Sequence, residues 1–168
     1  MESKFTDVTD NMLAPHGLRI ANLVIDYLAI TGVSFVFGLV VGIMGMRLDG
    51  SIEPSFLDEM NKLQEYLLGI VIAMGYYAGF ELLTGGRTLG KLITGTIAVT
   101  ENGELPSYRT LLIRNLCRCI PFDALSFLGS PCRGWHDSIS KTCVVRKKVL
   151  DEHKMAFLNA IENTNETN

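Results

Sequence analysis

Residues 20–46 read IANLVIDYLAITGVSFVFGLVVGIMGM, and the single charge in that stretch is Asp26. From Tyr27 to Met46 there is none. About 20 uncharged residues make roughly 30 Å of helix, the hydrocarbon thickness of a bilayer. The surface helix of a soluble domain keeps a polar stripe over such a length, whereas this stretch is apolar all round. It predicts a membrane-spanning helix.

A second apolar run, Tyr66 to Thr84, is interrupted only by Glu81 and predicts a second span. Between the two lie Arg47 and Lys62 against Asp49, Glu53, Asp58, Glu59 and Glu65, with Gly50, Ser51 and Pro54 marking a loop. Lys4 and Arg19 precede the first run, and the remaining basic residues follow the second. The positive-inside rule then expects a multi-pass protein of the cell (inner) membrane, with both termini cytoplasmic and the acidic loop outside. The first seventeen residues lack the basic start and short apolar core of a removable signal peptide.

The segment from Tyr108 to Ser130 is apolar in places but carries Arg109, Arg114, Arg118 and Asp123, with Pro121 in its middle. A full crossing would strand Arg133, Lys141, Arg146, Lys147, Lys148 and Lys154 outside, against the charge rule. An amphipathic helix at the cytoplasmic interface, or a re-entrant turn near Pro121, is expected instead, with a third full span as the less favoured alternative. Arg114 and Arg118 are four apart and share a face, so they are candidates for contact with lipid phosphates. Thr94 to Val99 and Thr142 to Val145 are short β-prone runs that can pair as a cytoplasmic ribbon. Ser107 is a candidate N-cap. The fold class expected is thus an all-α membrane protein: two transmembrane helices, an amphipathic or re-entrant third segment and a small β ribbon. Residues 1–13 read as a polar tail, 14–146 as the membrane domain, and 147–168 as a basic, then disordered, tail from Asn163 onward.

The chain has 168 residues and a formal net charge of −3, which gives no footprint for nucleic acid. Cys117, Cys119, Cys132 and Cys143 lack paired Cys-x-x-Cys spacing, so they read as reduced cytosolic thiols, with no metal and no cofactor expected. The run from Gly85 to Lys91 nearly matches a phosphate loop, but Leu92 stands where a magnesium-binding hydroxyl is needed. His136-Asp137 lacks a nucleophile elbow, and no catalytic constellation can be placed, so an enzyme is not expected. Trp135 is a candidate interface anchor.

Asp26 is the residue most suggestive of chemistry, because a carboxylate inside a span faces protein or water rather than lipid. Arg19 and Asn22 share its helix face. Arg19 is about 10 Å from Asp26, so Asn22 or a water would have to bridge them. The three residues either line a polar cavity or ion path, or form an internal clamp. Antiparallel spans put Glu81 at similar depth, where two carboxylates can share a proton or a cation; the alternative is that Glu81 reaches out to the interface. Gly38-x-x-x-Gly42 and Gly75-x-x-x-Gly79 permit close helix packing, and their faces raise the prospect of a homo-oligomer or a second membrane protein as partner.

Four stretches in order resemble a known family: Leu18-Arg19-Ile20-Ala21-Asn22-Leu23-Val24-Ile25-Asp26; Glu81 to Lys91, ending Gly-Arg-Thr-Leu-Gly-Lys; Gly95 to Val99 with Gly103 and Arg114-Asn115; and Trp135-His136-Asp137 through Val145. Their order and spacing, over roughly Ala14 to Arg146, resemble the RDD family of bacterial membrane proteins, named for one arginine and two aspartates. The resemblance implies that Arg19, Asp26 and Asp137 are those residues. It implies no settled activity; transport of unknown ligands has been proposed for the family, and cation/proton antiport for some members. Two functions are expected to compete. One is transport of a cation, proton or small ligand through a site of Arg19, Asn22, Asp26, Glu81 and Asp137. The other is a non-catalytic membrane scaffold or assembly partner.

Overall fold

The first apolar stretch forms one long helix, α1 (His16–Asp49), and the second forms α2 (Lys62–Thr84). They belong to a computed structural model that describes residues 8–49, 60–120, 122–129 and 133–166. The turn formers Gly50, Ser51 and Pro54, with Pro121 and Cys132, lie outside the described residues. His16–Gly45 and Lys62–Thr84 are long and apolar enough to cross a membrane, with mean hydropathies of 2.2 and 1.6. Their apolar side chains are open rather than packed: Leu28 is 64% exposed and Phe35 72%. The core helix of a soluble protein would hide them.

Local chemistry sets the ends of α2. Asn61 accepts from Leu63 and Gln64 while Gln64 reaches back, a reciprocal cap. Gly85 stops the helix in the left-handed region, at φ 68°. The chain then forms α3 (Leu89–Thr94), capped by Thr88, followed by β1 (Thr96–Thr100). Helix α4 (Tyr108–Cys117) starts at Ser107, whose hydroxyl accepts from Thr110 N as expected of an N-cap. A 3-10 stretch (Asp123–Leu128), α5 (Trp135–Ile139), β2 (Thr142–Arg146) and α6 (Lys147–Glu166) complete the described chain.

The expected ribbon is present. β1 and β2 pair antiparallel, with Thr96 opposite Arg146 and Thr100 opposite Thr142. Strand alternation divides their side chains. Ile97, Val99, Cys143 and Val145 join Met12 and Leu150 in an apolar core, while Thr96, Thr142 and Val144 lie on the other face, towards α1 and α4. The described part of the N-terminal segment docks here too: Val8 N donates to Glu101 O, Ala14 N donates to Val144 O, and Leu13 bridges Val145.

Four expectations need correction. The end of the chain is helical as far as Glu166, where disorder was expected from Asn163. Leu150 anchors the first turn in the core, and Lys147–Asp151 and Lys148–Glu152 support the helix at i,i+4. Secondly, α4 is amphipathic as expected, but with its polar stripe inward. Leu112, Ile113 and Leu116 are exposed, while Arg114 is fully buried and the Arg118 side chain is only 17% exposed. Inside the fold these arginines meet the carboxylates of Asp137 and Glu81. Thirdly, Glu81 does not reach outward; it is fully buried. Fourthly, the glycine motifs do not pack α1 on α2. A Cβ placed on Gly38, Gly42, Gly75 or Gly79 would meet nothing within 4 Å.

Candidate functional site

The two long helices and the ribbon converge on buried charge. Asp26 sits one turn beyond Asn22 on α1, facing α3 and α2. Its Oδ1 accepts from Tyr76 OH at 2.8 Å and Gly90 N at 2.8 Å, and its Oδ2 from Thr88 Oγ1 at 2.7 Å. One carboxylate thus ties α1 to α2 and to the start of α3. Close approach requires Gly90, since a Cβ there would lie 2.6 Å from Asn22 O. Asn22 holds the other end of α3: its Oδ1 accepts from Thr94 Oγ1 at 2.5 Å, and its Nδ2 donates to Thr96 Oγ1 at 2.9 Å.

Arg19 does not reach back to Asp26 through Asn22. It pairs with Asp137 of α5. Asp137 also holds Arg114 Nη1 at 2.6 Å and accepts from Gly134 N at 3.1 Å. Burial alone would raise the Asp137 pKa, but Arg114, His136 and Arg19 outweigh it and hold the carboxyl well below the usual range.

Glu81 is the second anionic centre. Its Oε1 lies 2.7 Å from Lys91 Nζ, 3.4 Å from Arg118 Nη2 and 3.6 Å from Arg114 Nε. The last is an ion pair without a hydrogen bond. Glu81 and Asp26 therefore have separate partners, and nothing requires them to share a proton. Burial pulls Lys91 down to about 8, against the opposing pull of Glu81. Arg118 also stacks over the Tyr77 ring at 4.2 Å. The glycine and lysine that close the Gly-Arg-Thr-Leu-Gly-Lys run thus meet the carboxylates of Asp26 and Glu81.

Asp123 completes the network. It accepts from His136 N at 2.8 Å and faces His136 Nδ1 at 2.6 Å. Burial, then the charge of Arg118, pushes His136 down to about 4, so the ring is neutral at pH 7. Four cations (Arg19, Lys91, Arg114, Arg118) stand beside four carboxylates (Asp26, Glu81, Asp123, Asp137), so formal charges cancel. A cavity of about 120 Å³ opens among these groups. Arg19, Lys91, Arg114 and Arg118 line it, with Asn22, Asp26, Asp123 and His136. Among the described residues no group of three or more His, Cys, Asp or Glu is arranged to hold a metal ion.

The structure thus brings together Arg19, Asn22, Asp26, Glu81 and Asp137 with Arg114 and Arg118, and leaves the four span glycines apart. Sequence reasoning missed Tyr76, Thr88, Lys91, Asp123 and His136 as members. Thr88 carried a signal as a threonine opening a helix. Tyr76 carried none, because a tyrosine in an apolar run reads as lipid-facing.

Two helices long and apolar enough to span a bilayer, joined to a polar body with buried charges, suggest a membrane protein. A model of the RDD family matches residues 13–145, most of the chain, and the chain belongs to that family. No curated protein and no solved structure matches it.

Proposed function

We propose that this chain is an integral membrane protein that holds a small polar solute in the charged cavity and passes it across the bilayer. The observation that carries the reading is an inverted distribution of residues. Arg19, Asp26, Glu81, Arg114 and Asp137 are buried, while Val24, Phe35, Leu67, Leu112 and Leu116 are exposed. Water would reverse that pattern; a hydrocarbon solvent favours it. The cavity lies where α1 begins and α3 and α4 meet it, the end at which the N-terminal segment, ribbon and α6 gather. The positive-inside rule makes that end cytoplasmic, since Arg47 and Lys62 alone flank the opposite one.

Asp26 acts in this reading as the clamp that seats α3. Three donors point at its oxygens, which is the wrong surrounding for a cation. The role is non-catalytic. Leu23→Trp tests the proposal, because Leu23 lines the cavity and makes none of the ion pairs. In proteoliposomes on a supported membrane, gradients of sodium phosphate, sodium acetate and potassium chloride would be applied in turn. At least one should give a current that falls more than tenfold in Leu23→Trp while Tm is retained. No current with any salt, or full current in the variant, removes the transport reading.

One observation favours the scaffold alternative. The buried charges are nearly all paired, as in a network that fixes one geometry. The open glycine faces of α1 and α2 leave room for a helix of a second copy or of another membrane protein. A stoichiometric partner co-purifying with a flux-inactive protein would favour this reading.

A further inference from the structure

We infer that the cavity takes a compact oxyanion, a phosphate-like group gripped by Arg114 and Arg118. The inference rests on the solute-binding reading above and names the chemistry of the solute. Four cationic side chains line the cavity against two carboxylates, Asp26 and Asp123. Both carboxylates are already answered, Asp26 by three donors and Asp123 by the backbone and ring of His136. Glu81 and Asp137 stand behind the lining as counterions.

Among the lining groups it is the donors that are less completely matched, although behind the lining Glu81 Oε2 and Asp137 Oδ1 also lack a hydrogen-bond donor. Arg114 is fully buried, yet its Nε and Nη2 have no hydrogen-bond partner among protein groups, and neither has Arg118 Nε. A buried N–H without an acceptor forfeits its hydration unrepaid, so acceptors are what the lining lacks. A cation would face these N–H groups and gain nothing. An oxyanion supplies several acceptors at once, in the planar geometry that guanidinium groups match. Tyr77, against which Arg118 stacks, lines the same cavity and holds that fork in place. The volume, about 120 Å³, equals roughly four waters at ~30 Å³ each, room for a tetrahedral oxyanion. A free anion and a phospholipid headgroup offer the same chemistry.

Calorimetric titration of the purified full chain in neutral detergent tests this, with inorganic phosphate added at constant ionic strength against chloride. A second arm adds short-chain phosphatidylglycerol below its micellar concentration. Saturable phosphate binding, weakened at least tenfold in Arg118→Gln, is expected. Arg118→Lys keeps a positive charge for Glu81 but loses the planar fork, so it should weaken binding if the glutamine variant fails to fold. Saturation by the lipid alone, with the same dependence on Arg118, supports the oxyanion grip and identifies a headgroup as its source. No saturation with either probe, or equal affinity in a folded Arg118 variant, overturns the inference. Phosphate binding without any current in proteoliposomes would remove transport and leave the oxyanion site standing.

Discussion

Arg114 touches Asp137 and Thr142 through Nη1, at 2.6 Å each, and lies within ion-pair distance of Glu81 through Nε. It joins the two anionic centres that hold Lys91, Arg118 and Arg19. Buried pairs of this kind recover their desolvation cost only when the geometry is complete, so each partner constrains the others. His136 sits at the edge of this network and makes it sensitive to acid. Its pKa is about 4 when folded against 6.5 when exposed, so the unfolded chain takes up a proton first as pH falls. Stability from this group is full above pH 6.5 and is lost as pH drops towards 4. Asp123, whose pKa is lowered despite burial because His136 binds it, adds a further loss only as pH falls below its ordinary value of 3.8. Unfolding in detergent should therefore show a fall of about 2–3 kcal/mol between pH 6.5 and 4. In His136→Gln most of that slope should vanish; an unchanged slope would place the acid sensitivity elsewhere.

Helix α3 is only six residues long and could not persist alone. Tertiary contacts at both ends hold it: Asp26 receives Gly90 N and Thr88 Oγ1, and Asn22 receives Thr94 Oγ1. The surface between α3 and α1 is so close that a Cβ on Gly90 would strike Asn22 O and Cα, at 2.6 and 2.9 Å. Gly90→Ala should cost about 2 kcal/mol or more, by displacing α3 and weakening the Asp26 bond. Gly38→Ala and Gly79→Ala, with open space at their Cβ positions, should change stability by about 0.5 kcal/mol or less. Thermal melts of the three variants in one detergent check this, and a harmless Gly90→Ala would refute the close-packing account. The contrast also shows what glycine spacing could and could not convey. The paired glycines of the spans look like packing motifs, yet within this chain the close contact falls on Gly90, whose neighbour is 68 residues away by the numbering.

For the molecule as a whole, the apolar core cluster among the described residues lies beneath the ribbon, around Ile97, Val99 and Val145. Where α1, α2 and α4 meet, the interior holds Arg19, Asp26, Glu81 and Arg114, while many apolar side chains of these helices face outward. Such a body is stable where hydrocarbon replaces water on the outside of α1, α2 and α4. The proposed orientation predicts that the start of α2 and the ribbon with α6 lie on opposite sides of the bilayer. In a cysteine-free background, a membrane-impermeant maleimide should label Lys62→Cys in intact cells and Asn159→Cys only after permeabilisation. The reverse pattern, or labelling of both in intact cells, would reject this topology.

The local elements are legible in the order of the amino acids alone: two long apolar helices, an amphipathic α4 opened by Ser107, and a two-stranded ribbon. Each follows from periodicity, capping or strand propensity within a short window. That order also marked Asp26 and Glu81 as costly charges within apolar runs, with Arg19 and Asn22 on the Asp26 face, while Asp137 entered through the family resemblance. Which partners these residues take emerges with the folded arrangement. Asp26 meets Thr88 across 62 positions, Arg19 meets Asp137 across 118, and α4 turns its arginines inward to reach Glu81 and Asp137. No local pattern carries that information, because a buried charge requires an opposite charge nearby in space and is indifferent to where along the chain it comes from.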